Sequence, residues 1–229
     1  MAALVVCVGL SILSDWANHA RLTRRNASEG SHMVSSLGIY ILIVQGIAII
    51  WGNDTKALRT GMDTTTRIGD LVVTGAQWIT LGVSAALLFA YLLFLVCSNI
   101  GLRLRAMADN PVQFTILGYN IEGHRLLAFA ISGFLAAVSS LLFSYDIGFD
   151  PQGGLDALLL AIVAVFIGGR DSFWGPVLAG ILLGIVRAEV IWVFSARWQD
   201  TATFALLVLF LFIRPQGILG RKIRLEEQI

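Results

Sequence analysis

The stretch Met33–Trp51, MVSSLGIYILIVQGIAIIW, is 19 residues long and contains no charged side chain. As an α-helix it would be about 28 Å long, which matches the roughly 30 Å hydrocarbon core of a bilayer. The whole chain has the same character: of its 229 residues, 57% are hydrophobic and 14% are charged, and the mean hydropathy is +0.80. A domain of this size cannot hide so much apolar surface in one core, so the sequence predicts an integral membrane protein.

The apolar runs predict an all-α fold, a polytopic transmembrane helix bundle with about seven membrane segments. Four runs are long enough to cross a bilayer by themselves: Met33–Trp51, Gln77–Cys97, Leu126–Phe143 and Trp174–Phe194. Three runs are shorter than the roughly 17 residues that a span needs: Ala2–Leu13, Leu155–Ile167 and Ala202–Ile213. Because an unpaired backbone polar group in hydrocarbon costs several kcal/mol, the short runs must recruit flanking residues or lie inside the bundle.

The distribution of basic residues predicts the orientation, because Lys and Arg accumulate in cytoplasmic loops. With the C-terminus inside, eleven of the 16 Lys and Arg residues fall in cytoplasmic segments, four fall in external segments and one lies within a span. The cytoplasmic eleven are Arg21, Arg24, Arg25, Arg103, Arg105, Arg125, Arg170, Arg214, Arg221, Lys222 and Arg224. The sequence thus predicts one transmembrane domain over residues 1–229, with a cytoplasmic loop over 98–125 and an external loop over 52–76.

The external loop contains two β-prone runs, Thr64–Ile68 and Leu71–Thr74. The Gly69-Asp70 pair between them suits the two-residue turn of a β-hairpin. An isolated hairpin is only marginally stable, so this one needs packing against the rest of the protein. The loop is either a docking surface for an external partner or a plain connector.

The sequence contains no motif for soluble catalysis: it lacks the P-loop G-x-x-x-x-G-K-[ST], H-E-x-x-H and G-x-S-x-G. Both cysteines lie in apolar runs, and the three histidines are far apart in sequence, so we expect no metal site. The net charge of +1 favours no nucleic-acid partner. We therefore expect a chain that is not an enzyme and binds no cofactor, and any work driven by ATP needs a nucleotide site in another chain.

The stretch Gly101–Gly118, GLRLRAMADNPVQFTILG, carries the end signals of a short helix. Asp109 or Asn110 can cap the free amides, and Pro111 suits the first helical position. Gly118 suits the left-handed residue that follows a helix. The sequence therefore predicts about two helical turns in the cytoplasmic loop.

The predicted short helix has one apolar face. Val112 and Ile116 are four residues apart and lie on the same side, with Leu117 beside them. A helix of this kind can lie along the membrane surface and seat in a groove of a partner protein. The alternative is an interfacial loop helix without a partner.

Small residues cluster where one apolar run ends and the next begins. Gly168 and Gly169 end a run and Gly175 opens the next, which predicts an abrupt chain reversal. Gly180 and Gly184 form a small-x-x-x-small face that allows another helix to approach closely. These glycines mark a translocation path, because freed backbone groups can face a polar cavity, or they serve helix packing alone.

Arg187 and Glu189 stand inside an apolar run, where an unpaired charge costs at least about 2.5 kcal/mol near the bilayer centre. Residues two apart point to different sides of a helix, so we do not expect them to pair with each other. They line a polar cavity or external vestibule, or they extend to the interface. Asp156 begins its run, where its charge complements the helix dipole.

Several motifs follow one another in a fixed order along the chain. They are LRLRAMADN (102–110), GYNI (118–121), LAFAISG (127–133), IGG (167–169), Gly175, Gly180 and RPQG (214–217). Their order and spacing resemble those of the membrane permeases of branched-chain amino acid ABC importers, over roughly residues 81–220. Such permeases usually begin with further membrane helices ahead of the run Ala2–Leu13, so the chain resembles a version without that first portion.

The resemblance implies a multi-pass permease of the bacterial or archaeal inner or plasma membrane, for branched-chain amino acids or for urea, amides or other amino acids. The implied partners are a homologous permease subunit, a periplasmic or surface substrate-binding protein, two cytoplasmic ATPase subunits that use ATP, and the lipid bilayer.

The resemblance also suggests roles for individual residues. The expected ATPase-coupling residues are Arg105, Ala106, Asp109, Asn110, Pro111 and Gly118. The glycine cluster and the charge in an apolar run, rather than the resemblance, suggest residues in the translocation path or in helix packing: Gly168, Gly169, Gly175, Gly180, Gly184 and Glu189. A stand-alone secondary carrier or channel, or a non-transporting membrane scaffold, is the alternative to a permease.

Overall fold

A computed structural model describes residues 2–19, 22–23, 28–57, 65–68, 71–146, 148–169, 172–214 and 216–219. The chain divides into two compact units, Met1–Pro151 and Gln152–Ile229. The single domain over residues 1–229 stays a prediction. Several residues to which sequence predictions refer lie outside the described residues: Arg21, Arg24, Arg25, Thr64, Gly69, Asp70, Arg170, Pro215, Arg221, Lys222 and Arg224.

The first unit contains four long apolar helices and two shorter ones in its described part. The long helices are α1 (Ala2–Ser14), which continues into a π-helical turn (Asp15–His19), α2 (Glu29–Trp51), α3 (Gly75–Cys97) and α6 (Ile121–Asp146). The shorter helices are α4 (Asn99–Asp109) and α5 (Pro111–Ile116). The second unit consists of α7 (Gly153–Gly168), α8 (Trp174–Val193), a 3-10 turn (Ala196–Trp198) and α9 (Gln199–Ile213).

The prediction of about seven membrane segments is confirmed, and the short segments reach their lengths in two ways. The π turn extends the first to 18 residues (Ala2–His19), and the 3-10 turn extends the last to 18 residues (Ala196–Ile213). With these, six described helices are long and apolar enough to cross a membrane. The seventh, α7, has 16 residues and packs against α8 and α9, with Val163 and Ile167 in the core of the second unit.

The first unit depends on close contact between α1 and α6, which explains the LAFAISG motif. A Cβ atom on Gly133 would lie 2.6 Å from the Cβ of Ser11, so only glycine fits there. The Ser11 hydroxyl donates a hydrogen bond of 2.6 Å to the carbonyl oxygen of Phe129. One turn further along, Arg125 forms a 2.9 Å ion pair with the buried carboxylate of Asp15.

The predicted hairpin is confirmed as two antiparallel strands, β1 (Thr65–Ile68) and β2 (Leu71–Thr74). In its register, Thr65 pairs with Thr74 and Ile68 pairs with Leu71. Thr74 also begins α3 with a capping box, in which its hydroxyl accepts from the amide of Gln77 and the Gln77 side chain accepts from the amide of Thr74. The hairpin therefore joins directly onto a membrane helix.

The second unit is closed at one end by direct contact between backbones. A Cβ on Gly168 or on Gly175 would lie closer than 3.0 Å to the backbone of the other residue, so the end of α7 touches the start of α8. Gly217 has a φ of +79°, and its Cβ would lie 2.5 Å from the Cα of Gly169. We call Gly168, Gly169, Gly175 and Gly217 the glycine junction.

Two hydrogen bonds complete the glycine junction. The amide of Ile218 donates to the carbonyl of Ile167 over 2.8 Å, and the amide of Leu219 donates to the carbonyl of Gly168 over 3.0 Å. These bonds satisfy two of the carbonyls that the end of a helix leaves free. The IGG motif, Gly175 and the RPQG motif, which are far apart in sequence, thus meet at one end of this unit.

We predict that Gly175→Ala destabilises the protein by about 1–3 kcal/mol, because a methyl group there forces the two backbones apart. The matched control is Gly180→Ala on the same helix, where a Cβ has no described atom within 4 Å apart from the backbone of its own helix. It should leave the free energy of unfolding unchanged or raise it by up to about 1 kcal/mol, since alanine is the better helix former. Unfolding in mixed detergent measures both, and equal stability of the two variants would contradict a packed junction.

Candidate functional site

The chain bends sharply between α3 and α4, and the bend positions the rest of the 98–125 loop. Ser98 ends α3 and caps α4, because its hydroxyl accepts from the amide of Ile100 over 3.2 Å. A Cβ on Gly101 would lie 2.5 Å from the carbonyl oxygen of Phe94 and 2.6 Å from the Cα of Leu95. The first turn of α4 therefore packs directly on the last turn of α3.

The short helix α5 forms where the sequence predicts it. The side chain of Asn110 accepts a 3.0 Å hydrogen bond from the amide of Gln113, so Asn110 is the cap, and Asp109 is the last residue of α4. Pro111 occupies the first turn. Gly118 has a φ of +83°, the left-handed conformation that a glycine after a helix supplies.

One aromatic side chain fixes α5 to its surroundings. Phe114 is only 2% exposed; its ring stacks on Tyr119 at 5.0 Å between centroids and meets His124 edge-on at 5.1 Å. The guanidinium carbon of Arg103 lies 5.2 Å from the centre of the Tyr119 ring, a cation–π distance. Because His124 belongs to the first turn of α6, this cluster connects α4, α5 and α6.

Phe114 was not singled out from the sequence, although its position on the helix indicates that its side chain is buried. It lies two residues from both Val112 and Ile116, and residues two apart on a helix point to different sides. A helix that exposes Val112 and Ile116 therefore turns Phe114 inward.

The opposite side of α5 is apolar and open. Val112 is 68% exposed, Ile116 79% and Leu117 72%. We call these three side chains the α5 apolar face. Arg105 and Ala106, the other two residues expected in coupling, lie on α4, where Ala106 is exposed and Arg105 is partly buried.

The predicted translocation or packing residues separate into two groups. Gly168, Gly169 and Gly175 belong to the glycine junction. Gly180 and Gly184 have open space around them: no described atom lies within 4 Å of a Cβ built on either one. The described residues leave this face open, and the close approach of another helix to it stays a prediction. Glu189 is exposed on α8.

Arg187 is bound by the first turn of α9. Its Nη2 donates to the side-chain oxygen of Gln199 over 2.9 Å, and its Nη1 donates over 3.2 Å both to Asp200 and to the hydroxyl of Thr203, which is 3% exposed. Its carboxylate partner is thus Asp200 rather than Glu189. These three residues were not singled out from the sequence, although Asp200 is a charged group just before the run Ala202–Ile213 and Thr203 is a polar group inside it.

A small cavity adjoins this cluster. It has a volume of about 100 Å³, and its walls include Asp156, Leu159, Arg187, Asp200, Thr203 and Phe204. Asp156 belongs to the first turn of α7 and Asp200 to the first turn of α9. A polar cavity wall was one of two predicted environments for Arg187, and the structure places it there.

Two histidines that are separated in sequence come together in the first unit. The rings of His19 and His32 stack at 5.3 Å, with their Nδ1 atoms 3.1 Å apart, so one ring donates to the other. Their separation in the sequence gave no sign of this contact. In the part of the chain that the structure describes, no group of three or more potential metal ligands includes them.

Long apolar helices, together with a capped amphipathic helix between two of them, define a multi-pass membrane protein with a surface suited to a partner. Residues 3–213 match the family described as branched-chain amino acid transport system / permease component. The chain belongs to this family of membrane permeases.

Individual relatives show the same likeness. The chain is 31% identical over 195 residues to the high-affinity branched-chain amino acid transport system permease protein BraD of Pseudomonas aeruginosa, and 29% identical over 203 residues to LivH of Escherichia coli K12. These alignments cover 82% and 86% of this chain but only 64% and 66% of the relatives, so the chain spans slightly less than two thirds of their length.

The chain is also similar to a permease that is named for a different cargo. The autoinducer 2 import system permease protein LsrC of Salmonella paratyphi B is 31% identical over 156 residues, which are 67% of this chain and 42% of the relative. No solved structure matches the chain.

We predict that Gly118→Val loosens α5, because a β-branched residue is strained at a φ of +83° by about 1–2 kcal/mol. Asn110→Ala should act in the same direction by removing the cap. Amide hydrogen exchange of residues 111–118 should become faster in both variants while exchange in α6 stays the same. Gly118→Asn is the control, since asparagine tolerates this conformation; faster exchange in that variant alone would refute the explanation.

Proposed function

We propose that this protein is the transmembrane permease subunit of an ATP-binding cassette importer for branched-chain or related amino acids. Family membership and the names of the relatives support a transport permease. The observation that carries the rest is the α5 apolar face, three exposed aliphatic side chains on a helix that is fixed at both ends. Such a surface is suited to a groove in a partner protein.

The proposed partner at this surface is an ATPase, and two copies supply the nucleotide chemistry that the sequence lacks. In this proposal, closure of the ATPases on ATP moves α5 as a rigid piece. Phe114 transmits the movement, because its ring contacts Tyr119 and His124, and His124 lies in the first turn of the membrane helix α6. The bundle thereby changes between inward and outward openings.

The proposed orientation places α5 and the glycine junction in the cytoplasm. It follows from the excess of Lys and Arg in the loops on that side and puts the C-terminus inside. The β-hairpin then faces the periplasm or the cell surface, where a substrate-binding protein delivers the cargo. A homologous permease subunit completes the transport path.

The proposed cargo is a branched-chain amino acid or a related small molecule. The names of BraD and LivH support branched-chain amino acids. The name of LsrC shows that a permease of similar sequence serves a different cargo. The class of transporter is therefore better supported than the identity of its substrate.

The test is reconstitution of the chain in vesicles together with ATPase, second-permease and substrate-binding subunits from the same organism. We expect uptake of labelled leucine that requires ATP hydrolysis. Ile116→Glu should reduce uptake at least about tenfold, because a charge is costly to desolvate in an apolar interface. Ile116→Leu, which keeps the apolar face, should retain uptake.

Two outcomes would contradict the proposal. Leucine uptake that persists without ATPase subunits would indicate a secondary carrier or channel. Wild-type uptake by the Ile116→Glu variant would show that the α5 apolar face does not couple transport to ATP hydrolysis.

A further inference from the structure

The cavity beside Arg187 lies at the end of the second unit that is opposite the glycine junction. There the start of α7, the end of α8 and the start of α9 meet. Its volume of about 100 Å³ is well above the roughly 10–15 Å³ that admits one water molecule. It therefore has room for several waters or for part of a small solute.

The charges in the cavity wall favour a ligand with an ammonium group. Asp156 and Asp200 contribute two carboxylates and Arg187 one guanidinium, so the formal charge is −1. Arg187 pairs with Asp200, while no described residue pairs with Asp156. Asp156 is exposed in the first turn of α7, so an ammonium group can reach its carboxylate and neutralise the remaining charge.

Arg187 also retains capacity for a carboxylate. A guanidinium has five N–H donors, and the hydrogen bonds to Gln199, Asp200 and Thr203 account for three of them among the described residues. Arginine binds carboxylates with paired, charge-assisted hydrogen bonds. The remaining wall, which includes Leu159 and Phe204, is apolar.

We propose that this cavity binds the head group of an apolar amino acid on its path through the permease. The ammonium group lies near Asp156, the carboxylate accepts hydrogen bonds from the free donors of Arg187, and the aliphatic side chain packs against Leu159 and Phe204. Thr203 and Gln199 are positioning residues that hold the guanidinium in place. This inference rests on the proposed function, which it deepens by assigning a substrate site.

The competing explanation is a purely structural one, in which Arg187 links α8 to α9. Both explanations predict that loss of Arg187 weakens the second unit. They differ in ligand discrimination, because only a binding site distinguishes molecules that lack one charged group. The test therefore compares leucine with 4-methylpentanoate, which lacks the ammonium group, and with 3-methylbutylamine, which lacks the carboxylate.

The experiment titrates the three ligands against the full chain in lipid nanodiscs, with dissociation constants from ligand-detected NMR and empty nanodiscs as background. No binding protein is present, so the selectivity measured belongs to this chain. We expect leucine to bind at least about tenfold more tightly than either analogue, since each analogue lacks one charged, hydrogen-bonded group. Absence of leucine binding, or equal binding of the three ligands, would overturn the proposal.

Single substitutions test which side chain is responsible for each ligand preference. Arg187→Gln should remove the preference for leucine over 3-methylbutylamine, and Asp156→Asn should remove the preference over 4-methylpentanoate. The matched controls are Arg197→Gln and Asp146→Asn, which remove the same charges from exposed positions outside the cavity wall and should keep wild-type preferences. Thermal unfolding of each variant is measured in parallel.

The outcomes separate the two explanations and the two proposals. If Arg187→Gln lowers the unfolding temperature and Asp156→Asn keeps wild-type preferences, Arg187 is a structural link and the binding site is wrong. If ATP-dependent leucine uptake is intact in vesicles while these variants keep wild-type preferences, only the substrate site fails. Loss of ATP dependence in the wild type would instead refute the proposed function.

Discussion

A polar group in hydrocarbon has no water to bind, and this constraint explains several irregular features of the described residues. Arg187 lies in an apolar helix and is bound by three polar side chains from the next helix. The free carbonyls at the end of α7 accept hydrogen bonds from Ile218 and Leu219. The buried carboxylate of Asp15 lies 2.9 Å from Arg125. In each of these three cases another segment of the same chain supplies the partner.

The same constraint explains which parts of the fold could be predicted from sequence. Span lengths, the hairpin and the ends of α5 depend on residues within a few positions of one another, and local patterns predict them. The extension of the first span by a π turn, with Asp15 buried in it, depends on Arg125, more than 100 positions away. The convergence of Gly217 with Gly169 likewise depends on packing between distant segments, which hydropathy does not record.

The candidate sites also contain features that local sequence predicts and features that depend on contacts between distant segments. The cap, the first-turn proline and the final glycine of α5 were predictable, because each acts on its own backbone. The role of Phe114 as an anchor was only partly predictable: helical spacing turns it inward, but its partner His124 belongs to another helix. A charge in a membrane segment needs a partner, so the sequence indicates that Arg187 has one. The identity of that partner required the fold.

The two ends of the second unit differ in how easily their helices can move relative to one another. At the glycine junction the backbones touch, so any relative movement of α7 and α8 there would need the contact between Gly168 and Gly175 to break. At the other end the helices are separated by a cavity and joined by side-chain hydrogen bonds, which can exchange partners at small cost when a ligand supplies equivalent ones. Movement within this unit is therefore expected at the cavity end, with the junction as its fixed point. A solute that binds the free donors of Arg187 would act where the unit is least constrained.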